Sequence, residues 1–204
     1  MSPYLISCSC GGFQAELEEQ APINRGICYC KDCQAFAVAL GQEETVLDDQ
    51  GGTDILQTAP ARLRFLSGTS NLGCLRLTAD GLLRWYATCC NSPIGNTPVS
   101  AAVPMIGLVH TAFGARDLDA VAPSRMRVFT HGARREPKPQ QYLPISAGLK
   151  VAQMVLTAHL SGAARNNPFF KQPDKGRKQP VVVPRVLSGA ELETVRGRVD
   201  AMGS

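Results

Sequence analysis

The sequence predicts a mainly β protein, pinned at clusters of cysteine and followed by a helical C-terminal region. Three observations predict it. Short runs with a period of two fill the first two thirds of the chain. Seven of the eight cysteines fall in three tight clusters. From Ile145 onward the apolar residues take up helical spacing.

The elements follow in order. Phe13, Ala15 and Leu17 alternate with Gln14, Glu16 and Glu18, the pattern of a half-buried strand. A short helix is expected from Lys31 to Leu40, stopped by Gly41. Leu63 and Phe65 alternate with Arg62 and Arg64 as a second strand. Leu75 and Leu77 flank Arg76, Ala79-Asp80-Gly81 makes a turn, and Leu82 to Tyr86 runs back, which together predict a hairpin. Val103–His110 and Met126–Phe129 read as further strands. Ile145, Leu149, Ala152, Leu156 and Leu160 recur at helical spacing up to Gly162. Arg165 to Phe170 and the polar run Lys171–Pro180 read as loop or linker. Ser188 and Glu191 form a capping-box signature for a last helix reaching about Val199, and Gly203-Ser204 is expected to fray. No repeat of 20–50 residues is visible.

A chain of 204 residues suits one domain, or one domain with a substantial extension. An apolar fraction of 44% is enough for a core. The formal net charge of +4 is mild and gives no strong case for nucleic acid. Metal-bound cysteines would lower it further, because they are thiolates. No segment reaches the roughly 18 apolar residues that a membrane helix needs. The start, Met1 to Ser7, lacks the basic and apolar regions of a secretory signal. The expected location is therefore the cytoplasm, where tight cysteine clusters mean metal or redox chemistry more often than structural disulfides.

The clusters are Cys8-Ser9-Cys10-Gly11-Gly12, Cys28-Tyr29-Cys30-Lys31-Asp32-Cys33, and Cys89-Cys90 before Asn91-Ser92-Pro93. A Zn–S bond of about 2.3 Å in a tetrahedron sets sulfurs about 3.8 Å apart. Strand residues i and i+2 point to one face about 6.6 Å apart, so a C-x-C pair needs only a local bend. Gly11 and Gly12 make that bend cheap. The second cluster adds C-x-x-C, the knuckle spacing in which a turn brings both sulfurs to one ion. Three thiolates within six residues can cap one face of a metal and leave a fourth position open or filled from a distance. An open position marks a catalytic zinc; closed tetrads are structural. Both remain as readings here, the second giving two purely structural sites. A redox C-x-x-C is the lesser alternative, because no βαβ context surrounds it. Cys74 reads as a small buried hydrophobe. His110 is the first choice among the three histidines for a distant ligand, ahead of His131 and His159.

The order Cys8-x-Cys10-Gly11, Cys28-x-Cys30-x-x-Cys33, then a cysteine pair before Asn91-Ser92-Pro93, resembles the glutathione-dependent formaldehyde-activating enzyme family, which includes the centromere protein V group. The resemblance covers roughly residues 4 to 112. It implies a zinc-binding, β-tent-like fold of small antiparallel sheets, with a domain at 1–112 and a C-terminal extension at 113–204 carrying about two helices packed on it. It implies a structural zinc at Cys8, Cys10 and Cys90, and a catalytic zinc at Cys28, Cys30 and Cys33, hence two ions. It also implies a small-molecule thiol such as glutathione as partner, and condensation with an aldehyde as the type reaction, a carbon–sulfur lyase chemistry. This sequence departs from the family pattern in three ways. Ala87 stands where the late C-x-x-C-G has its first cysteine, Cys89 is extra and Asn91 replaces the glycine. Cys89 therefore either closes the structural site in altered geometry or leaves that site three sulfurs. Tyr29 stands where many members have histidine, and the chain from about Ala115 has no counterpart.

Three functions stay in view from the sequence. The first is an enzyme in which Cys28, Cys30 and Cys33 hold zinc and a small thiol or water attacks an electrophile. The second is a non-catalytic zinc scaffold, with Phe169-Phe170 as a partner's anchor if exposed and as core if not. The third is nucleic-acid binding through Lys171, Lys175, Arg177 and Lys178, a run that more often forms a solvated linker. The oligomeric state is not legible.

Overall fold

In the computed structural model the described residues are 3–19, 24–123, 125–171 and 178–203. Met1, Ser2, Ser204 and, from the basic run, Lys175 and Arg177 lie outside them. The first strands are β1 (Tyr4–Ser7), β2 (Gln14–Leu17) and β3 (Asn24–Cys28), followed by helices α1 (Lys31–Leu40) and α2 (Glu43–Val46). Then come β4 (Thr53–Thr58), β5 (Leu63–Ser67), β6 (Leu72–Arg76), β7 (Leu83–Ala87), β8 (Ser92–Thr97) and β9 (Ile106–Val109). The remainder is α3 (Leu118–Val121), β10 (Arg125–Val128), α4 (Ile145–Leu160), β11 (Phe170–Lys171), β12 (Gln179–Pro180), β13 (Arg185–Val186) and α5 (Gly189–Ala201).

The protein is mainly β, as its alternating pattern predicts. An eight-stranded sheet runs in the order β10-β3-β4-β9-β8-β7-β6-β13. Its inner pairings are antiparallel, whereas the two outermost, β10 on β3 and β13 on β6, are parallel. A three-stranded antiparallel sheet, β1-β2-β5, packs on one face, and β11 pairs with β12. The period of two in β7 divides the layers. Leu83, Trp85 and Ala87 enter the larger core, with Phe13, Ala15 and Leu17 from the small sheet. Arg84 and Tyr86 alternate to the other face, where Phe36 and Val38 of α1 meet Leu75, Leu77 and Val199. No helix among the described residues is long and apolar enough to cross a membrane.

The helix expected at Lys31–Leu40 spans those residues, and Gly41 ends it in the left-handed conformation at φ 66°. The Ser188–Glu191 capping box starts α5, with both reciprocal hydrogen bonds present. The expected Val103–His110 strand is shorter, because Val103 lies in a turn and His110 opens a 3-10 turn. The strand expected at Met126–Phe129 begins one residue earlier and loses Phe129, whose φ is 57°. Helix α4 has the expected bounds but not the orientation its apolar stripe suggests. Ile145, Leu149, Leu156 and Leu160 are all exposed, and the helix buries Ala147 and Ala158 instead. Phe169 and Phe170 are core: Phe169 has no exposed surface and meets Phe65 and Trp85 at ring-centroid distances of 5.1 and 4.9 Å.

Candidate metal centres

The first centre is built by two turns. Between β1 and β2, Cys8 N–H donates to Phe13 O at 3.2 Å, and Phe13 N–H donates back to Cys8 Sγ at 3.2 Å. Gly11 turns the chain at φ 74°. Gly12 is needed for space: a Cβ there would lie 2.9 Å from Cys89 Sγ and 3.3 Å from Cys10 Sγ. The facing turn joins β7 to β8 and carries Cys89 and Cys90. Asn91 follows at φ 55°, a conformation that asparagine tolerates better than most residues. Asn71 Nδ2 donates to Gly12 O at 2.7 Å, and Thr88 N–H donates to Asn71 O, so one residue ties the two turns together.

Four sulfurs converge there. Cys8 lies 3.6 Å from Cys10 and 3.8 Å from Cys89, and Cys10 lies 3.3 Å from Cys89. These separations match the roughly 3.8 Å edge of a zinc–thiolate tetrahedron. Cys90 completes the group, with all four sulfurs within 4.8 Å of one another. It also contacts Ser92 Oγ at 3.1 Å, and Ser92 donates to Ser9 Oγ at 2.9 Å. Burial pushes the Cys90 thiol up, but hydrogen bonds from Ser9 and Ser92 outweigh it and hold the thiol down at about 5. Cys89, which the spacing left either inside or outside this centre, stands within its tightest triangle.

The second centre sits where β3 feeds α1. Cys28 is the last residue of β3, and Cys30 is the N-cap of α1. The Cys30 sulfur accepts from Cys33 N–H at 3.4 Å and lies 3.3 Å from Cys28 Sγ. A helix N-terminus favours negative charge, which suits a thiolate at this cap. Hydrogen bonds with Cys28 and Cys33 push Cys30 well below the usual thiol range, whereas those with Cys30 and Cys33 push Cys28 well above it. Among the described residues no other cysteine, histidine or carboxylate joins these three sulfurs within 4.8 Å. His110, His131 and His159 join neither group. Cys74 is buried in the larger core, and that burial raises its thiol to about 12.

Residues that sequence spacing does not flag hold the second centre in place. Gln34 is fully buried, and its Nε2 donates to Tyr29 O at 3.0 Å and to Gly132 O at 2.9 Å. It clasps the metal-side turn to the turn after β10. Gly132 must lack a side chain, because a Cβ would lie 2.3 Å from Tyr29 O. Arg84 is 3% exposed and lies under α1, its guanidinium 5.5 Å from the Phe36 ring centroid. The one available signal for Arg84 was a charge inside the apolar run Leu82–Tyr86; Gln34 and Gly132 carry none. His159 of α4, Arg165 and the β12 residues Gln179 and Pro180 border a cleft of about 850 Å³ whose lining includes none of the seven clustered cysteines.

The donor chemistry and the sulfur spacing fit metal ions at both centres, Cys8/Cys10/Cys89/Cys90 and Cys28/Cys30/Cys33. Residues 2–180 match a family described as a family of unknown function (DUF6151). No curated protein matches the chain. A solved structure of a Rhodobacter sphaeroides protein, a structural-genomics target, is similar at 14% identity, over 59% of this chain and 97% of that one, with a TM-score of 0.41.

Proposed function

The chain belongs to the DUF6151 family of unknown function, and from that premise we propose that it is a two-zinc enzyme of carbon–sulfur lyase type. Cys28, Cys30 and Cys33 serve a small thiol, glutathione or a relative, that attacks an aldehyde or related electrophile. The observation that carries this reading is the contrast between the two centres. Four sulfurs gather at Cys8, Cys10, Cys89 and Cys90, and three at Cys28, Cys30 and Cys33. A closed tetrad is a structural arrangement, and a triad leaves a corner for an outside ligand. Zinc bound by the triad supplies the lowered thiol pKa that makes a nucleophile at neutral pH.

The chain's own residues orient that corner. The helix start fixes Cys30 and Cys33 on one turn, and the Gln34 clasp fixes the carbonyl between Cys28 and Cys30. Desolvation and the nearby Asp48 carboxylate raise the Tyr29 phenol to about 12, so it stays neutral beside the triad. The cysteine order that resembles the glutathione-dependent formaldehyde-activating enzymes supports glutathione and formaldehyde as the first substrate pair to try. A cytoplasmic setting, reducing and rich in thiols, belongs to the same proposal.

The test is rate acceleration. Protein loaded with two zinc ions per chain is expected to speed formation of the glutathione–formaldehyde adduct above its spontaneous rate, and Cys30→Ala to abolish the gain. Fully loaded protein that leaves a panel of thiols and aldehydes at their spontaneous rates would sink the catalytic reading and leave a zinc-stabilised scaffold.

A further inference from the structure

Elsewhere in this protein cations answer carboxylates, as Arg25 does Asp54, Arg64 does Glu16 and Arg185 does Glu191. The cleft of about 850 Å³ breaks that habit. Its lining includes Arg76 from β6, His159 from α4, Arg165 from the turn after α4, and Lys178, and it includes no aspartate or glutamate. Among the described residues neither Arg76 nor Lys178 has a carboxylate partner.

Neutral carbonyls, several from the cleft's own wall, hold these side chains instead. Lys178 Nζ donates to Ala164 O at 3.3 Å and to Arg165 O at 2.7 Å. His159 Nε2 donates to Ala102 O at 2.8 Å. All three acceptors belong to lining residues, which places the ammonium and the imidazole at the wall. Arg76 Nε donates to Gly81 O at 3.1 Å. A carbonyl orients a cation without cancelling its charge. Desolvation and the like charge of Arg165 both hold the Lys178 ammonium below its ordinary pKa, so the two cations stand near each other. Like charges gathered in a concave wall draw an anion to it. The rest of the lining is largely apolar, with Leu83, Val99, Ala101, Ala102, Pro180 and Pro184. The volume falls in the range of small-molecule sites.

We propose that this cleft binds the phosphate monoester of a small, partly apolar molecule. A monoester brings close to two negative charges and three acceptor oxygens on one head group. That matches Lys178 and Arg165 together, whereas a single carboxylate brings one charge. The Arg165 guanidinium suits phosphate as a planar fork, and the Lys178 ammonium suits it as a point charge. The apolar lining takes the body of the molecule. The site stands apart from the clustered cysteines and does not depend on how either sulfur group is read.

The experiment is calorimetric titration of the full, zinc-loaded chain at one pH and low ionic strength. The probes are phenyl phosphate, inorganic phosphate and phthalate, the last a dicarboxylate with a similar ring. Phenyl phosphate is expected to bind tightest of the three, with one molecule per chain. Lys178→Gln and Arg165→Gln are each expected to weaken it about tenfold, the loss of one charge-assisted hydrogen bond. Arg64→Gln removes the same charge from the small sheet and is expected to leave the affinity unchanged. Cys30→Ala is expected to keep it too. Absence of saturable phenyl phosphate binding would overturn the proposal, as would phthalate or inorganic phosphate binding as tightly. Equal losses in Arg64→Gln and Lys178→Gln would reduce the effect to net charge and overturn it as well. Loss in Cys30→Ala with Lys178→Gln unchanged would put the anion on the metal instead. If Lys178→Gln does not fold, because its ammonium ties down the turn after α4, an undiminished affinity in Arg165→Gln alone overturns the assignment.

Discussion

The Sγ atoms of Cys10 and Cys89 lie 3.3 Å apart although 79 residues separate them in the chain. That contact joins the turn before β2 to the turn before β8, and so couples the small sheet to the large one at a point where little apolar surface is available. Both thiols are exposed, so hydrophobic burial does not explain their meeting, whereas their spacing fits shared ligation of one metal ion.

The first prediction follows from the space beside that pair. A methyl group at position 12 would sit 2.9 Å from Cys89 Sγ, so Gly12→Ala is expected to cost the first metal while sparing the second. Metal analysis per chain checks this: the count should fall from two toward one. An unchanged count would show that the turn yields without cost.

Loss of ligands should separate the two centres. Cys8 is buried, hydrogen-bonded to Phe13 and part of the larger core, whereas Cys30 caps a helix and belongs to the group of three sulfurs. Cys8→Ala is expected to lower the melting temperature substantially, and Cys30→Ala to remove the second metal with a smaller shift. Equal melting temperatures for the two variants would contradict this division of labour.

Phe169 binds the C-terminal third to the β core through Phe65 and Trp85. Its ring has no exposed surface, so Phe169→Ala should destabilise the protein by about 3–5 kcal/mol. A denaturant midpoint shifted at constant slope would report it. A negligible shift would mean that residues 167–171 are held elsewhere.

Glu191 gives a pH signature. Its carboxylate accepts from Ser188 N–H at 2.8 Å and pairs with Arg185, and these contacts lower it from 4.5 to about 2. A depressed folded value means the stabilisation is complete above the ordinary value and fades as pH falls through the folded one. The protection factors of amides in the first turn of α5, corrected for the intrinsic pH dependence of exchange, are therefore expected to fall as pH drops from about 4.5 to about 2. In Glu191→Gln that dependence should flatten.

Legibility from sequence follows the range of the interactions. Local ones were readable: the Gly41 stop, the Ser188 cap and the Phe13–Leu17 alternation all act within a few residues. Strand β8 was hidden because Pro93 and Gly95 read as breakers. Pro93 lies opposite Tyr86 beside a shift in register between Trp85 and Tyr86, a place where a strand can accept proline. Strand β3 was hidden because Arg25 looks like surface; the carboxylates that let it be buried are 29 and 94 residues away. The cysteine groups were legible because ligand spacing is itself local, whereas Arg84 and Gln34 act on the second centre only through folded contacts. In α4 the periodicity marked the helix but not its buried side, since Ala147 and Ala158 do the packing and the larger residues face out.

The parallel strands at both margins of the large sheet carry a further consequence. Both come from late in the chain, residues 125–128 and 185–186, and each covers a strand laid down much earlier. A fragment ending near residue 112 would keep every clustered cysteine yet bare the hydrogen-bonding edges of β3 and β6. Such a fragment would be sticky, recruiting copies of itself edge to edge. The late third of the chain thus acts as a pair of bookends, protecting the sulfur-bearing part from self-association.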